Sequence, residues 1–192
     1  MKKIIMTITI LLVFLPRADA CVGKILYIGT LNSATEQVLG EILCVLINER
    51  TGTTVNIKSY SSTKELYNAL RNREINILLE NTERSFEILE RQKEENAKTS
   101  YDISKEEFRK KLNLVWLEPF SPLTGNGGKS HHSYVPAITV DVLTNFPALP
   151  RVINKLGGVI SDDVFAKLMQ SVRAGEKPKK AARDFLKTKK LI

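Results

Sequence analysis

The sequence predicts an α/β fold in which a mostly parallel, five-stranded sheet is flanked by helices. Short apolar runs alternate along the chain with stretches of helical spacing. This order is typical of a parallel sheet built from right-handed crossovers. The first run, 25–28, shows little alternation, as expected of a strand covered on both faces.

The stretch 24–46 is central to this prediction. It contains a strand at 24–29, a polar turn at 30–32 and the start of a helix at 33–50, with apolar residues at helical spacing. Ser33 and Glu36 form a capping-box pattern. Ligands of open α/β sheets bind beyond the carboxyl ends of the strands, where helices begin, so 30–37 is the first candidate binding region.

The remaining elements follow from the same patterns. Further strands are predicted at 55–57, 75–79, 114–117 and 137–140. Helices are predicted from Ser62, over the charged stretch 83–113 with a loop at 96–102 and a restart at Ser104, over 143–156 with a proline interruption, after Ser161 and from Pro178. The segment 121–133 is a turn-rich loop.

Residues 1–20 read as a secretory signal peptide, and 21–192 as one α/β domain. A basic pair precedes an apolar stretch at 4–15 and a small-x-small site at 18–20. Cys21 follows that site. Two alternatives stay open: acylation of Cys21, which would anchor the protein to a membrane, or ordinary cleavage that leaves Cys21 incidental. Cys44 lies among apolar helix residues and is predicted to be core, so no disulfide is expected.

Charge and motifs restrict the function classes. The net charge of +8 owes much to lysines near the carboxyl terminus. No aromatic residues interleave with them, so a solvated helix face is favoured over a nucleic-acid site. No nucleophile elbow, P-loop or zinc-protease motif occurs, which argues against an enzyme. Adjacent histidines, His131 and His132, point apart on an extended backbone and make a poor metal site. We expect no cofactor and no metal.

Several segments in this order resemble the substrate-binding proteins of ABC importers for glycine betaine, choline and related quaternary ammonium osmoprotectants. The resemblance covers about 23–120 and 134–192. The segments that carry it are Gly29-Thr30, Thr35-Glu36-Gln37, Leu39-Gly40-Glu41, 72–77, 115–120, 146–149, 154–158, 160–162 and 182–186. It implies a periplasmic-binding-protein type II lobe, export to the periplasm or the outer face of the cytoplasmic membrane, and an ABC permease as partner.

The chain departs from the family pattern in two ways. Family members have two lobes, and the second would lie between Phe120 and Tyr134, where this chain has only thirteen residues. We therefore expect a single lobe. The resemblance also implies an aromatic cage for the ligand, but two tyrosine positions of the family read Leu78 and Asn81 here.

The candidate ligand-binding residues are drawn from three loops. They are Asn32, Thr35, Gln37, Tyr60, Glu80 and Thr82. The first three could bind a carboxylate at a helix N-terminus. Alternatively, Thr35 simply completes the helix cap, and Tyr60 packs against its neighbours.

The sequence is compatible with two functions. The first is an exported solute-binding component with a degenerate site, which a second copy facing the first could complete as a homodimer. The second is a non-transport interaction protein that keeps the scaffold and no longer binds a small ligand. The exposure of the loops after the first three strands distinguishes them.

Overall fold

The computed structural model describes residues 25–92, 94, 96–123 and 134–192. The predicted signal peptide, Cys21 and residues 124–133 with both histidines lie outside the described residues, and what the sequence indicates about them stays a prediction. Within the described ranges, no helix is both long enough and apolar enough to span a bilayer.

The sheet has five strands in the order β2-β1-β3-β5-β4. They are β1 (Leu26–Leu31), β2 (Val55–Tyr60), β3 (Ile77–Asn81), β4 (Leu114–Trp116) and β5 (Tyr134–Thr139). Strand β1 pairs in parallel with β2 and β3, whereas β5 is antiparallel to β3 and to β4. Four strands therefore point one way and β5 the other, which confirms a mostly parallel sheet.

Helices cover both faces of this sheet. They are α1 (Ala34–Thr51), α2 (Thr63–Arg71), α3 (Thr82–Ile88), α4 (Ala97–Leu112), α5 (Val140–Asn145), α6 (Leu149–Ile153), α7 (Asp162–Arg173) and α8 (Pro178–Thr188), with a 3-10 turn at Asn154–Leu156. The predicted helix 143–156 is split, because Pro147 and Pro150 cannot continue a helix from α5.

The predicted loop at 96–102 is wrong, because α4 runs without a break from Ala97 to Leu112. Asn96 is its N-cap, and its Oδ1 accepts a hydrogen bond from the Thr99 amide at 3.0 Å. Ser104 does not restart a helix. It is buried inside α4, where its hydroxyl lies 2.6 Å from that of Ser85.

Strands β1, β2 and β3 end later than the apolar runs that predict them. Strand β1 continues to Leu31, which pairs with Tyr60, and β3 continues to Asn81. The turn predicted at 30–32 therefore begins later, Tyr60 ends a strand rather than lying in a loop, and Glu80 lies within β3. Backbone pairing does not require apolar side chains, so the ladder continues into polar residues that periodicity cannot mark.

Helix α1 is buried on two sides, whereas an amphipathic helix that packs on a sheet buries only one. One side faces β1 and β2, and the other packs against α6, α7 and α8. Its middle, from Val38 to Ile47, is buried apart from Glu41. Cys44 is among these residues and donates a hydrogen bond to the Val55 carbonyl, which confirms it as core.

The opposite face of the sheet carries an aromatic cluster under α2 and α4. The Phe108 ring meets those of Trp116 and Tyr67 edge-on, at centroid distances of 5.1 and 6.4 Å. Trp116 is buried in this cluster. The helices on these two sides cover the faces of the sheet, so a binding site would lie at the ends of its strands.

Candidate functional site

The carboxyl ends of β1, β2 and β3 lie side by side at one end of the sheet. The parallel register brings Leu31 beside Tyr60, and each strand is followed at once by the start of α1, α2 or α3. Strand β5 runs the other way, so its first residue, Tyr134, lies opposite Asn81 at this same end. We refer to this region as the carboxyl end of the sheet.

The three helices are capped by their own residues. Ser33 Oγ accepts from the Glu36 amide at 3.2 Å, Ser62 Oγ from the Glu65 amide at 3.2 Å, and Asn81 Oδ1 from the Arg84 amide at 2.8 Å. Each cap satisfies one of the amide groups that a helix leaves free at its start. The positive ends of three helix dipoles still point into this region.

Only half of the capping box predicted at Ser33 and Glu36 forms. The Ser33 hydroxyl makes the expected bond, but the Glu36 carboxylate does not return to the Ser33 amide. Its Oε2 accepts from the Leu31 amide at 2.6 Å, and its Oε1 lies 2.8 Å from Nη1 of Arg84. Glu36 thus ties the end of β1 to the start of α3.

Arg84 is the centre of a buried charge network. Its Nε lies 2.5 Å from Oε1 of Glu80, and its Nη2 donates to the Leu79 carbonyl at 2.5 Å. Arg84, Glu36 and Glu80 are 5%, 2% and 0% exposed. Burial works against the charged form of Arg84, yet the two carboxylates outweigh it and raise the pKa of the guanidinium.

Glu80 has partners for both of its oxygens. Its Oε2 accepts from the Tyr67 hydroxyl, and its Oε1 accepts from the Asn81 amide at 2.8 Å as well as from Arg84. Burial nevertheless raises the pKa of Glu80 above its ordinary value, since its bonds to Arg84 and Tyr67 offset only part of the desolvation. Two carboxylates against one guanidinium give the ionised network a net charge of −1.

Tyr134 lies beside this network. It is half-buried and pairs with Asn81 across the sheet. Burial, and then the negative charge of Glu36, raise the pKa of Tyr134. The carboxyl end of the sheet therefore combines an aromatic side chain with the net negative charge of the neighbouring network.

Four of the six candidate residues reach the surface here. Asn32 is exposed, and Thr35, Gln37 and Thr82 are half-buried. The Gln37 Nε2 donates to Asn32 Oδ1 at 2.9 Å, so the two amides support each other. We refer to Asn32, Thr35, Gln37 and Thr82 as the rim.

The other two candidates are placed differently. Glu80 is fully enclosed, so it contacts Arg84 and Tyr67 rather than the surface. Tyr60 packs with the aromatic cluster on the α2 and α4 face of the sheet, whereas Tyr134 packs on the α1 face. The two tyrosines therefore lie on opposite faces of the sheet.

The sequence alone does not identify Arg84 or Tyr134 as part of this region. Arg84 stands in a charged stretch and reads as a solvated residue. Its burial follows from the two carboxylates that β3 and α1 bring around it. Tyr134 can be found only from the antiparallel direction of β5, which brings the first residue of that strand to the carboxyl end of the sheet.

The chain is similar to known proteins in sequence and in fold. The family model described as the substrate binding domain of ABC-type glycine betaine transport systems matches residues 24–127. No curated protein sequence matches the chain.

Two solved structures share the fold. One is described as a glycine betaine/carnitine/choline ABC transporter, with a TM-score of 0.77 and 14% identity over 86% of this chain and 99% of the other. The second, apo YehZ from Escherichia coli, has a TM-score of 0.74 and 13% identity over 87% and 99%. At these identities the likeness is one of fold, while the family model covers more than half of the sequence. The chain thus belongs to the family of substrate binding domains of ABC-type glycine betaine transport systems.

Proposed function

We propose that this protein is an exported solute-binding subunit that presents quaternary ammonium osmoprotectants of the glycine betaine and choline type to an ABC permease. Family membership supports the class of function. One observation supports the location of the site: the rim, Tyr134 and a net negative charge lie together at the carboxyl end of the sheet.

The chemistry of this region suits a quaternary ammonium group. Such a group cannot donate a hydrogen bond, so proteins bind it through aromatic faces and negative potential. Tyr134 supplies an aromatic ring, and the buried network of Arg84, Glu36 and Glu80 supplies the potential. Gln37 and Asn32 offer amide groups to a polar part of the ligand.

A carboxylate on the ligand is less favoured here than the sequence suggested. The Glu36 carboxylate already lies at the start of α1, bonded to the Leu31 amide. A second carboxylate nearby would be repelled by it at short range. We therefore propose that choline, which is a cation, binds more tightly than the zwitterion glycine betaine.

The proposed site is half of a cleft. With thirteen residues between Phe120 and Tyr134, the chain has no room for a second α/β lobe at that place. Small ligands bind tightly when most of their surface is enclosed. We propose that one copy binds weakly, and that a facing second copy or the permease completes the enclosure.

Calorimetric titration of the mature chain with choline, glycine betaine and carnitine tests this function, with the mass in solution measured alongside. Saturable binding that weakens in Gln37→Ala but not in Gln170→Ala, an exposed glutamine on α7, supports it. A folded protein that binds none of the three overturns it. That result would favour the alternative of an interaction protein on the same scaffold.

A further inference from the structure

The strongest unexplained feature of the molecule is a fully formed set of ligands around one cation. Three acceptor oxygens converge on the Arg84 guanidinium: Oε1 of Glu36 at 2.8 Å, Oε1 of Glu80 at 2.5 Å and the Leu79 carbonyl at 2.5 Å. Each nitrogen of the guanidinium meets a different acceptor. The acceptors are arranged around the planar guanidinium in the way that a protein binding site arranges them around a free guanidinium ion.

These acceptors are held by bonds of their own. Glu36 accepts from the Leu31 amide, and Glu80 accepts from the Tyr67 hydroxyl and the Asn81 amide. They come from α1 and from β3, while the cation comes from α3. The two carboxylates are therefore positioned by contacts outside the ion pairs, which is what a preformed site requires.

We propose that Glu36, Glu80 and the Leu79 carbonyl form a binding site for guanidinium-type cations, which we call the seat. Arg84 occupies the seat as an internal ligand, and its presence there positions the rim. The seat goes beyond the proposed transport function. Its test needs no osmoprotectant, so its failure and that of the transport function are distinguishable.

The effect on the rim passes through Glu36. The same carboxylate that meets Arg84 holds the Leu31 amide, and Leu31 precedes Asn32 in the chain. On the other side, Gln37 follows Glu36 and bonds to Asn32. Without its cation, Glu36 would be a buried and unpaired charge, and its bond to Leu31 would no longer be fixed. Arg84 is in this sense a positioning residue.

Chemical rescue is the experiment that tests the seat. Arg84→Ala removes the cation and leaves all three acceptors, and methylguanidinium supplies the missing group. We expect the melting temperature of Arg84→Ala to fall, and to rise again with a saturable dependence on methylguanidinium at constant ionic strength. Exchange of the Leu31 amide proton, followed by NMR, should speed up by on the order of tenfold or more and slow down again on rescue.

Arg91→Ala is the matched control, since Arg91 pairs with Glu107 at 3.8 Å on the surface and is 45% exposed. Neither Arg91→Ala nor the unaltered chain should show saturable stabilisation by methylguanidinium. Equal stabilisation of all three would overturn the proposal, as would the absence of any in Arg84→Ala.

Folding of the variant is itself informative. If Arg84→Ala folds only with methylguanidinium present, the seat is supported. If it fails to fold even then, the acceptors do not form a site for a free cation and the proposal is wrong. Tetramethylammonium has no N–H group, so rescue by it equal to that by methylguanidinium would also overturn the proposed geometry.

Discussion

Arg84 Nη1 and Glu36 Oε1 lie 2.8 Å apart although 48 positions separate the two residues in the chain. Arg84 also bonds to Glu80, which faces the other side of the sheet with Tyr67. The guanidinium therefore reaches around the end of β3 and joins the two packed layers. The stability of this end of the fold depends on charge as well as on apolar contact.

The pKa of Glu80 predicts a pH dependence. Burial raises it in the folded state, so the native protein holds a proton on Glu80 at a pH where the unfolded chain has lost it. The stability that this proton contributes is fully present at a pH below the pKa of Glu80 in the unfolded chain. It is lost as the pH rises through the pKa of Glu80 in the folded protein. Glutamine resembles the protonated acid, so Glu80→Gln should become more stable relative to the unaltered chain from pH 4 to pH 7.

Urea unfolding of both proteins at several pH values measures this difference. Glu107→Gln serves as control, because the pKa of the half-buried Glu107 is lowered, first by its hydrogen bond to Lys111. The free energy of unfolding of Glu107→Gln, relative to that of the unaltered chain, should change with pH in the opposite direction. A relative loss of stability in Glu80→Gln as the pH rises would contradict the prediction.

Gly29 lies where strand β1 passes tightly over its neighbours. A Cβ added there would lie 2.4 Å from Ile75 Cδ1 and 2.8 Å from Leu66 Cδ1. Both side chains are fully buried and have little room to move. Gly29→Ala should therefore cost about 1–3 kcal/mol of unfolding free energy, as overpacking in cores does.

Gly40→Ala is the natural comparison for Gly29→Ala. Its Cβ would meet the Thr30 methyl at 3.1 Å, and alanine favours the helix by about 1 kcal/mol over glycine. These effects oppose each other, so Gly40→Ala should change stability far less. Thermal and urea unfolding of the two variants give the comparison, and an equal loss in both would contradict it.

The layers of this fold could be predicted because they are encoded by local patterns. The apolar run at 25–28 leads into strand β1, where Leu26 and Ile28 are buried, although Ile25 lies before the strand and is exposed. The spacing of Val38, Leu39 and Ile42 places those residues in the core, as expected. The network around Arg84 could not be predicted in the same way. Glu80 and Arg84 lie four residues apart, but Glu36 is 48 positions from Arg84, and no local pattern predicts that the three meet.

Helix α4 shows a different kind of failure. The stretch 96–102 is polar and the sequence predicts a loop there, whereas the helix packs mainly through Tyr101 and Phe108, which lie seven residues apart. Seven residues are about two helical turns, so both face the aromatic cluster. A sparse apolar stripe is easily missed when the rest of the helix is charged and its cap is an asparagine rather than the predicted serine.

The N-cap of α4 gives a test of that correction. Asn96→Ala removes the side-chain oxygen that accepts from the Thr99 amide and should cost about 0.5–2 kcal/mol. Asn96→Asp keeps the acceptor and should retain most of the stability. If Asn96→Ala had no effect on urea unfolding, the helix would not begin where the structure places it.

Tyr134 provides the sharpest test of the binding site at the carboxyl end of the sheet. If the ring face attracts the ammonium group, Tyr134→Phe should bind choline nearly as well as the unaltered chain, because only the hydroxyl is lost. Tyr134→Ala should weaken choline binding roughly 2- to 30-fold, corresponding to about 0.5–2 kcal/mol for a cation–π contact. Tyr60→Ala is the matched control, since Tyr60 packs on the opposite face of the sheet. Choline titrations of the three variants would contradict this site if Tyr60→Ala lost affinity and Tyr134→Ala did not.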